Sequence, residues 1–330
     1  MMSASRDLPT PSTEALALET PKKSVLDRIP VIAQLRQSVG LQRGMLVVGL
    51  VITAVFVLTA IFAPLIAPYS FAQQKTADGT SFGTLMEPNS TNLLGTTVSG
   101  FDVFSRVIWG AQTALFVIVA AILCSIIVGI ALGLISGYFG GWFDRILVVI
   151  CDAIYAFPSL LLAIVMSIVI TQGQSDLVGG VMAAAISITV VFVPQYFRVV
   201  RSEVVRVRQE PFVESAKVIG VPTGRIMLRH VLRNSTRSLP VVITLNASEA
   251  LLTLAGLGFL GFGIEATKAS EWGYDLNRAV NDATSGIWWT GVFPGAAIVL
   301  VVLGITLVGE SLNDLADPRL RTRRRAGGKA

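Results

Sequence analysis

Charge is scarce in this 330-residue chain: Asp, Glu, Lys and Arg make up 14% of it, where soluble domains run near a quarter. Length alone allows two soluble domains. An apolar fraction of 53% and a mean hydropathy of +0.69 exclude them and point to an all-α polytopic membrane protein. Cysteine is nearly absent. Cys124 and Cys151 both lie in apolar runs, so no disulfide framework or metal spacing exists, and both are expected as packed core residues. The single His230 cannot build a multi-histidine metal site, and neither HExxH nor CxxC occurs. No GxxxxGK[ST] loop is present, so the chain does not itself cradle nucleotide phosphates in a Walker-type site. No nucleophile stands beside a paired base. Catalysis, a directly bound cofactor and a bound metal are therefore not expected. The first apolar run starts late and is long enough to span, which reads as a membrane helix rather than a cleaved leader.

What is abundant is long apolar sequence. Six stretches approach the ~20 residues that a bilayer core requires: 45–66, 113–135, 146–171, 177–193, 239–262 and 290–308. The fourth is short and can borrow a turn from Pro194 onward. Pro158 should bend the third, and Pro240 should begin the fifth. Small residues (Gly129, Ala131 and Gly133 in the second; Gly179, Gly180 and Ala183 to Ala185 in the fourth; Gly256, Gly258 and Gly261 in the fifth) allow close helix packing. Residues 1–23 read as a mobile cytoplasmic tail, 24–44 as a cytoplasmic, interfacial helix, and 322–330 as a basic cytoplasmic tail. With the N-terminus inside, 22 of the 26 lysines and arginines fall on cytoplasmic pieces. That asymmetry places both termini in the cytoplasm. Outside lie a first loop from Tyr69 to about Val103, a turn near 172–176 and a loop from Ile264 to Trp289. Trp272, Trp288 and Trp289 fit an interfacial belt, and 101–110 could lie along the outer surface.

One cytoplasmic loop, 211–234, is polar, basic and sharply punctuated. Pro211 suits the first helical position. Gly220 suits the residue just past a helix end, and Pro222 blocks continuation. The helix between is about two turns long, too short to persist alone in water. Thr223 can N-cap a second helix along which Arg225, Arg229, Arg233 and Arg237 share one face. A solvated linker touching anionic headgroups and a docking element both fit that spacing. Two acids fall inside spans, Asp152 and Glu249. A mid-membrane carboxylate costs at least ~2.5–3.5 kcal/mol on insertion scales, so each should face the bundle interior or water. Asp152 reads as a packing contact to a neighbouring helix. Glu249, with Asn246 before it, reads either as pathway lining or as packing.

The same loop resembles the EAA loop of ABC importer permeases. Glu214-Ser215-Ala216 stands for EAA, Gly220 has the required spacing, and nine residues lead to His230 at the Ile position. Leu232-Arg233 replaces Leu-Pro. Leu94-Gly95-Thr96, Gly100, Asp102-Val103 and Ser105-Arg106 resemble the LGTDxxGRDVxSR signature of the C-type permease of dipeptide, oligopeptide and nickel importers, with Thr97 for Asp and Phe101 for Arg. Residues 137–142, 156–158, Phe259-Leu260-Gly261, Trp272-Gly273, Phe293-Pro294-Gly295 and Asp317-Pro318-Arg319-Leu320 also resemble runs of that branch. The resemblance spans 45–321. It implies a six-span subunit with a cytoplasmic coupling helix between the fourth and fifth spans, in a bacterial inner membrane. It further implies a second homologous permease, two ABC ATPase subunits that hold ATP and Mg²⁺, and an extracytoplasmic solute-binding protein. The coupling residues it implies are Phe212, Glu214, Ser215, Ala216, Ile219 and Gly220, with Phe212, Ala216 and Ile219 as an apolar ridge. Arg225 and Arg229 would be a supporting basic stripe, and peptides the favoured solute. Nickel or another small solute, a stand-alone secondary transporter and a non-transporting membrane anchor are the alternatives.

Overall fold

The computed structural model describes residues 41–171 and 177–316. The tail 1–23, most of the interfacial segment 24–44, the turn 172–176 and the C-terminal stretch from Asp317 lie outside them. Among the described residues all regular structure is helical. Helix α1 (Leu41–Ile61) continues after a short bend as α2 (Ala63–Ile66), and α3 (Val103–Phe139) follows a long loop. Next come α4 (Gly141–Tyr155), α5 (Ser159–Thr171), α6 (Leu177–Val207) and α7 (Pro211–Val218). A mixed segment then runs from α8 (Thr223–Arg225) through a π-helical turn (Ile226–Val231) into α9 (Leu232–Ser235). Helices α10 (Leu239–Phe259), α11 (Trp272–Thr284) and α12 (Trp289–Ala316) complete the chain.

Five of these helices (α1, α3, α6, α10 and α12) are long and apolar enough to cross a membrane. The pair α4–α5 makes a sixth span only if counted as one element, because it is bent by 97°. Pro158 lies in that break. Its ring clashes with the preceding turn and its missing N–H removes a helical hydrogen bond, but the size of the bend exceeds an ordinary proline kink. The short fourth stretch is in fact 31 residues of continuous helix running through Pro194.

The core is built on α3 and α6. Gly129, Gly133 and Gly137 recur every fourth residue on α3, and a Cβ on any of them would collide with α6. Gly133 alone would meet Phe197 O at 2.9 Å and Val200 Cβ at 3.0 Å. Small residues at this spacing let two helix backbones approach closely. Tyr196, Phe197, Val200 and Val204 are wholly buried as a result. Helix α10 crosses this pair and packs on α12, which in turn holds α1. Ser248 Oγ and Thr306 Oγ1 meet across α10 and α12 at 3.1 Å.

The end of the bundle opposite α7 is closed by a polar knot. Asp102 N-caps α3, accepting from Ser105 N–H at 2.7 Å, and Asn92 Nδ2 donates to its other oxygen at 2.9 Å. Arg106 is buried at 1% exposure. Its Nε donates to both oxygens of Asp275 on α11 at 2.8 and 2.9 Å, and Nη1 donates to Phe71 O. Nη2 sits 2.7 Å from the same carboxylate but outside hydrogen-bond alignment. Residues 103–110 thus begin α3 inside the fold and do not lie on the outer surface. Trp272 and Trp289 are also buried, their Nε1–H groups donating to Val107 O and Thr96 O. Only Trp288 keeps the exposure expected of an interfacial belt. An indole buries readily once a backbone carbonyl satisfies its one donor. Of the cysteines, Cys151 is buried and Cys124 is exposed, since an apolar run on a membrane helix has an outward face as well as an inward one.

Candidate functional site

Helix α7 is short because its ends are closed by local chemistry. Pro211 occupies the first turn, where no intrahelical partner is lost. At the other end Ile219 is the C-cap and Gly220 adopts φ +78°, a left-handed conformation that glycine takes at no steric cost. Gly220 N–H donates to Lys217 O and Val221 N–H to Ala216 O, each at 3.0 Å. These two bonds are the Schellman pattern, and they satisfy carbonyls that the helix end would leave bare.

The faces of α7 divide differently from the expected ridge. Val213 (0% exposed) and Ala216 (6%) point into the core. They are three residues apart and share one helical face, seated over the π-helical turn with its buried Ile226, Met227 and Val231. Ala216 is therefore part of the helix's own anchor. Phe212 (43%), Val218 (86%) and Ile219 (78%) are the exposed apolar side chains. Glu214 and Ser215 are exposed beside them, Ser215 Oγ donating to Pro211 O at 2.9 Å. Val218 belongs to this surface too, and no position of the EAA pattern marks it in the sequence. Thr223 is the first residue of α8 and caps nothing; Pro222 holds the cap position. Arg225, Arg229, Arg233 and Arg237 are all exposed, and Arg237 Nη2 donates to Asn234 Oδ1 at 2.8 Å.

Close to α7 the ends of α3, α4 and α6 are tied together by charge. Arg208 Nη1 donates to Gly137 O and Tyr138 O at 3.0 Å each, serving the last carbonyls of α3 in the manner of a basic C-terminal cap. Lys217 Nζ lies 5.9 Å from the centre of the Tyr138 ring. Arg201 grips Asp144 with two bonds, Nε–Oδ1 at 2.5 Å and Nη2–Oδ2 at 2.7 Å, and Ser136 Oγ also donates to Asp144. Asp152 pairs with Arg198 at 2.7 Å, the interhelical contact expected for it.

The second acid behaves otherwise. Glu249 is exposed on α10 and lines a cleft of about 220 Å³ at the break between α4 and α5, with Tyr155, Phe157, Ser159 and Gln195. Among the described residues its carboxylate has no partner. Asn246 does not join it. That side chain is 1% exposed and lies by the Tyr196 hydroxyl, and none of their polar side-chain atoms makes an aligned hydrogen bond.

Comparison with known proteins bears on this arrangement. Residues 129–322 match the model of the binding-protein-dependent transport system inner membrane component, and residues 41–86 match the N-terminal TM domain of oligopeptide transport permease C. The dipeptide transport system permease protein DppC of Alkalihalophilus pseudofirmus is 40% identical over 276 residues, covering 84% of this chain and 86% of that one. The glutathione transport system permease protein GsiD of Shigella flexneri is 37% identical over 265 residues, 80% of this chain and 83% of that one. GsiD of an Escherichia coli O6:K15:H31 strain is 35% identical over the same coverage. The first of these matches takes in the glycine-lined end of α3, α6, α7 and the Glu249 helix. This chain belongs to the binding-protein-dependent transport system inner membrane components, in the C-type peptide-permease branch.

Proposed function

We propose that the chain is the C-type permease subunit of an ATP-driven importer of peptides. An extracytoplasmic binding protein delivers the solute, and a second homologous permease completes the pathway. Two ABC ATPase subunits bind ATP and Mg²⁺ and dock on α7 from the cytoplasm. The basic asymmetry of the sequence supports cytoplasmic termini and a cytoplasmic α7. The observation that carries the coupling role is the geometry of α7: a capped two-turn helix, anchored by Val213 and Ala216, that offers Phe212, Val218 and Ile219 to solvent. Exposed aliphatics on a polar loop cost solvation unless a partner covers them. Arg225 and Arg229 lie on the exposed side of the next segment, where they support either the ATPase contact or an anionic lipid surface. Closure of the ATPases would shift α7 and rock the spans against the second permease, a rigid-body route to alternating access.

Glu249 and its cleft are assigned to the solute pathway. An unpartnered carboxylate at membrane depth requires water or a ligand beside it, and the cleft provides that space. Co-purification followed by reconstitution tests the whole reading. The chain should bring with it a related permease and two ATPase subunits, and the complex should import a labelled dipeptide only with ATP and binding protein present. Uptake by the chain alone would favour a secondary transporter. Import of nickel, or of glutathione as the names of two relatives suggest, would change the solute and leave the mechanism in place. Within the complex, Glu249→Gln and Glu249→Ala should each reduce uptake at normal expression; full transport in both removes Glu249 from the pathway.

A further inference from the structure

Helix α4 is poorly held by packing. Only Cys151 of its fifteen residues is buried, while Trp142, Ile146, Val149 and Ile150 face outward. Ion pairs to α6 take the place of a core. Asp144, in the first turn, is held by two bonds from Arg201 and one from Ser136. Two turns on, Asp152 is held by Arg198. Arg198 and Arg201 are three residues apart and so lie on one face of α6. The Arg201 pair is the stronger strap, being two-pronged and half withdrawn from water (31% and 14% exposed side chains). The Arg198 pair is about half exposed and so is weakly stabilising.

Helix α6 leads into α7 after only Arg208, Gln209 and Glu210. The other end of α4 runs into the 97° break where the Glu249 cleft opens. We propose that the Asp144–Arg201 strap is the positioning element that makes α4 follow α6, so that a displacement of α7 is delivered to the Glu249 cleft. Asp144 and Arg201 do not line the Glu249 cleft; they act through α4. Apolar packing slides, whereas a two-pronged carboxylate–guanidinium pair fixes both distance and direction. This inference rests on the coupling role of α7 given above.

The test uses the whole complex in proteoliposomes, with ATP hydrolysis and peptide uptake measured together. Asp144→Asn and Arg201→Gln should leave the ATPase subunits bound and hydrolysis within about twofold, while uptake per ATP falls tenfold or more. The exchange Asp144→Arg with Arg201→Asp restores the pair in reverse and should recover much of that ratio; the split between retained hydrolysis and lost uptake in the single variants is what a purely structural role would not give. Arg201→Lys, which keeps the charge but loses the second prong, should give an intermediate ratio. Uptake per ATP within twofold of the parent in both single variants overturns the proposal. So does failure of all variants to insert, because the pair would then be a folding element. The α7 reading fails separately, through ATPase retention that is indifferent to the outer face of α7.

Discussion

Changing Val218 and Ile219 together to serine separates the proposed docking face of α7 from its anchor. Both side chains are largely solvent-exposed, at 86% and 78%, so the chain alone should lose no more than the ~0.5 kcal/mol typical of surface substitutions. Burying one aliphatic side chain of this size against a partner contributes ~1.5–3 kcal/mol. Taking the lower figure for each gives about 3 kcal/mol for the pair. At ~1.4 kcal/mol per tenfold, ATPase affinity should fall on the order of 100-fold. The assay is a titration of the purified ATPase subunits onto the solubilised permease pair, with retention read by size-exclusion chromatography. Val213→Ser is the opposite control: at 0% exposure it should lower the thermal stability of the permease before it affects docking. ATPase binding within twofold of the parent in the double variant would refute the reasoning, because the exposed aliphatics would then have no partner on that side.

Gly220→Ala meets no steric obstacle but must adopt φ +78°, at roughly 1–2 kcal/mol; it should weaken coupling slightly. Gly220→Pro, locked near −65°, should leave the protein inserted and abolish uptake per ATP in the reconstituted complex. Arg106→Ala strands Asp275 in the polar knot and should destabilise the permease by ~3–5 kcal/mol, seen as a lower melting temperature in detergent, with Arg106→Lys only partly restoring it. Burial pushes the Glu271 carboxyl up to about 8, against the pull of the Gly273 and Tyr274 N–H groups. Asp275 is raised as well, again by burial and against the pull of Arg106. Since the folded state favours protonated Glu271, its contribution is complete below the ordinary carboxylate range and is lost as pH rises toward about 8. Thermal stability should therefore decline across that window, and Glu271→Gln should flatten the decline.

What the sequence disclosed was mostly local. Pro211 and Gly220 bracket α7 because caps act within a turn, and their spacing is legible without a fold. Five of the six apolar runs mark helices long enough to cross a membrane, and the third marks the bent pair α4–α5. Which face of α7 turns inward was not legible, since Val213, Ala216, Val218 and Ile219 are all small or aliphatic. Only contact with the π-helical turn, itself unforeseen, sorts them. The Arg106–Asp275 pair joins residues 169 apart and has no periodic signature. Its role had to come from the packing of α11 against the start of α3. Pro158 announced a bend, but the 97° angle depends on the neighbours of α4 and α5. Glu249 could be placed in a span but not on a cleft, and Asn246, three residues away, is buried beside Tyr196 and does not line that cleft.

The most direct measurement of the central claim is site-specific photocross-linking from position 218 in the assembled importer. A photoreactive residue replacing Val218 should capture the ATPase subunit in high yield, with the yield changing when ATP binds, while the same residue replacing Val213 should capture only this chain. Cross-links from position 218 to lipid or to this chain alone, with no ATPase adduct under any nucleotide condition, would contradict the assignment of α7 as the joint to the motor.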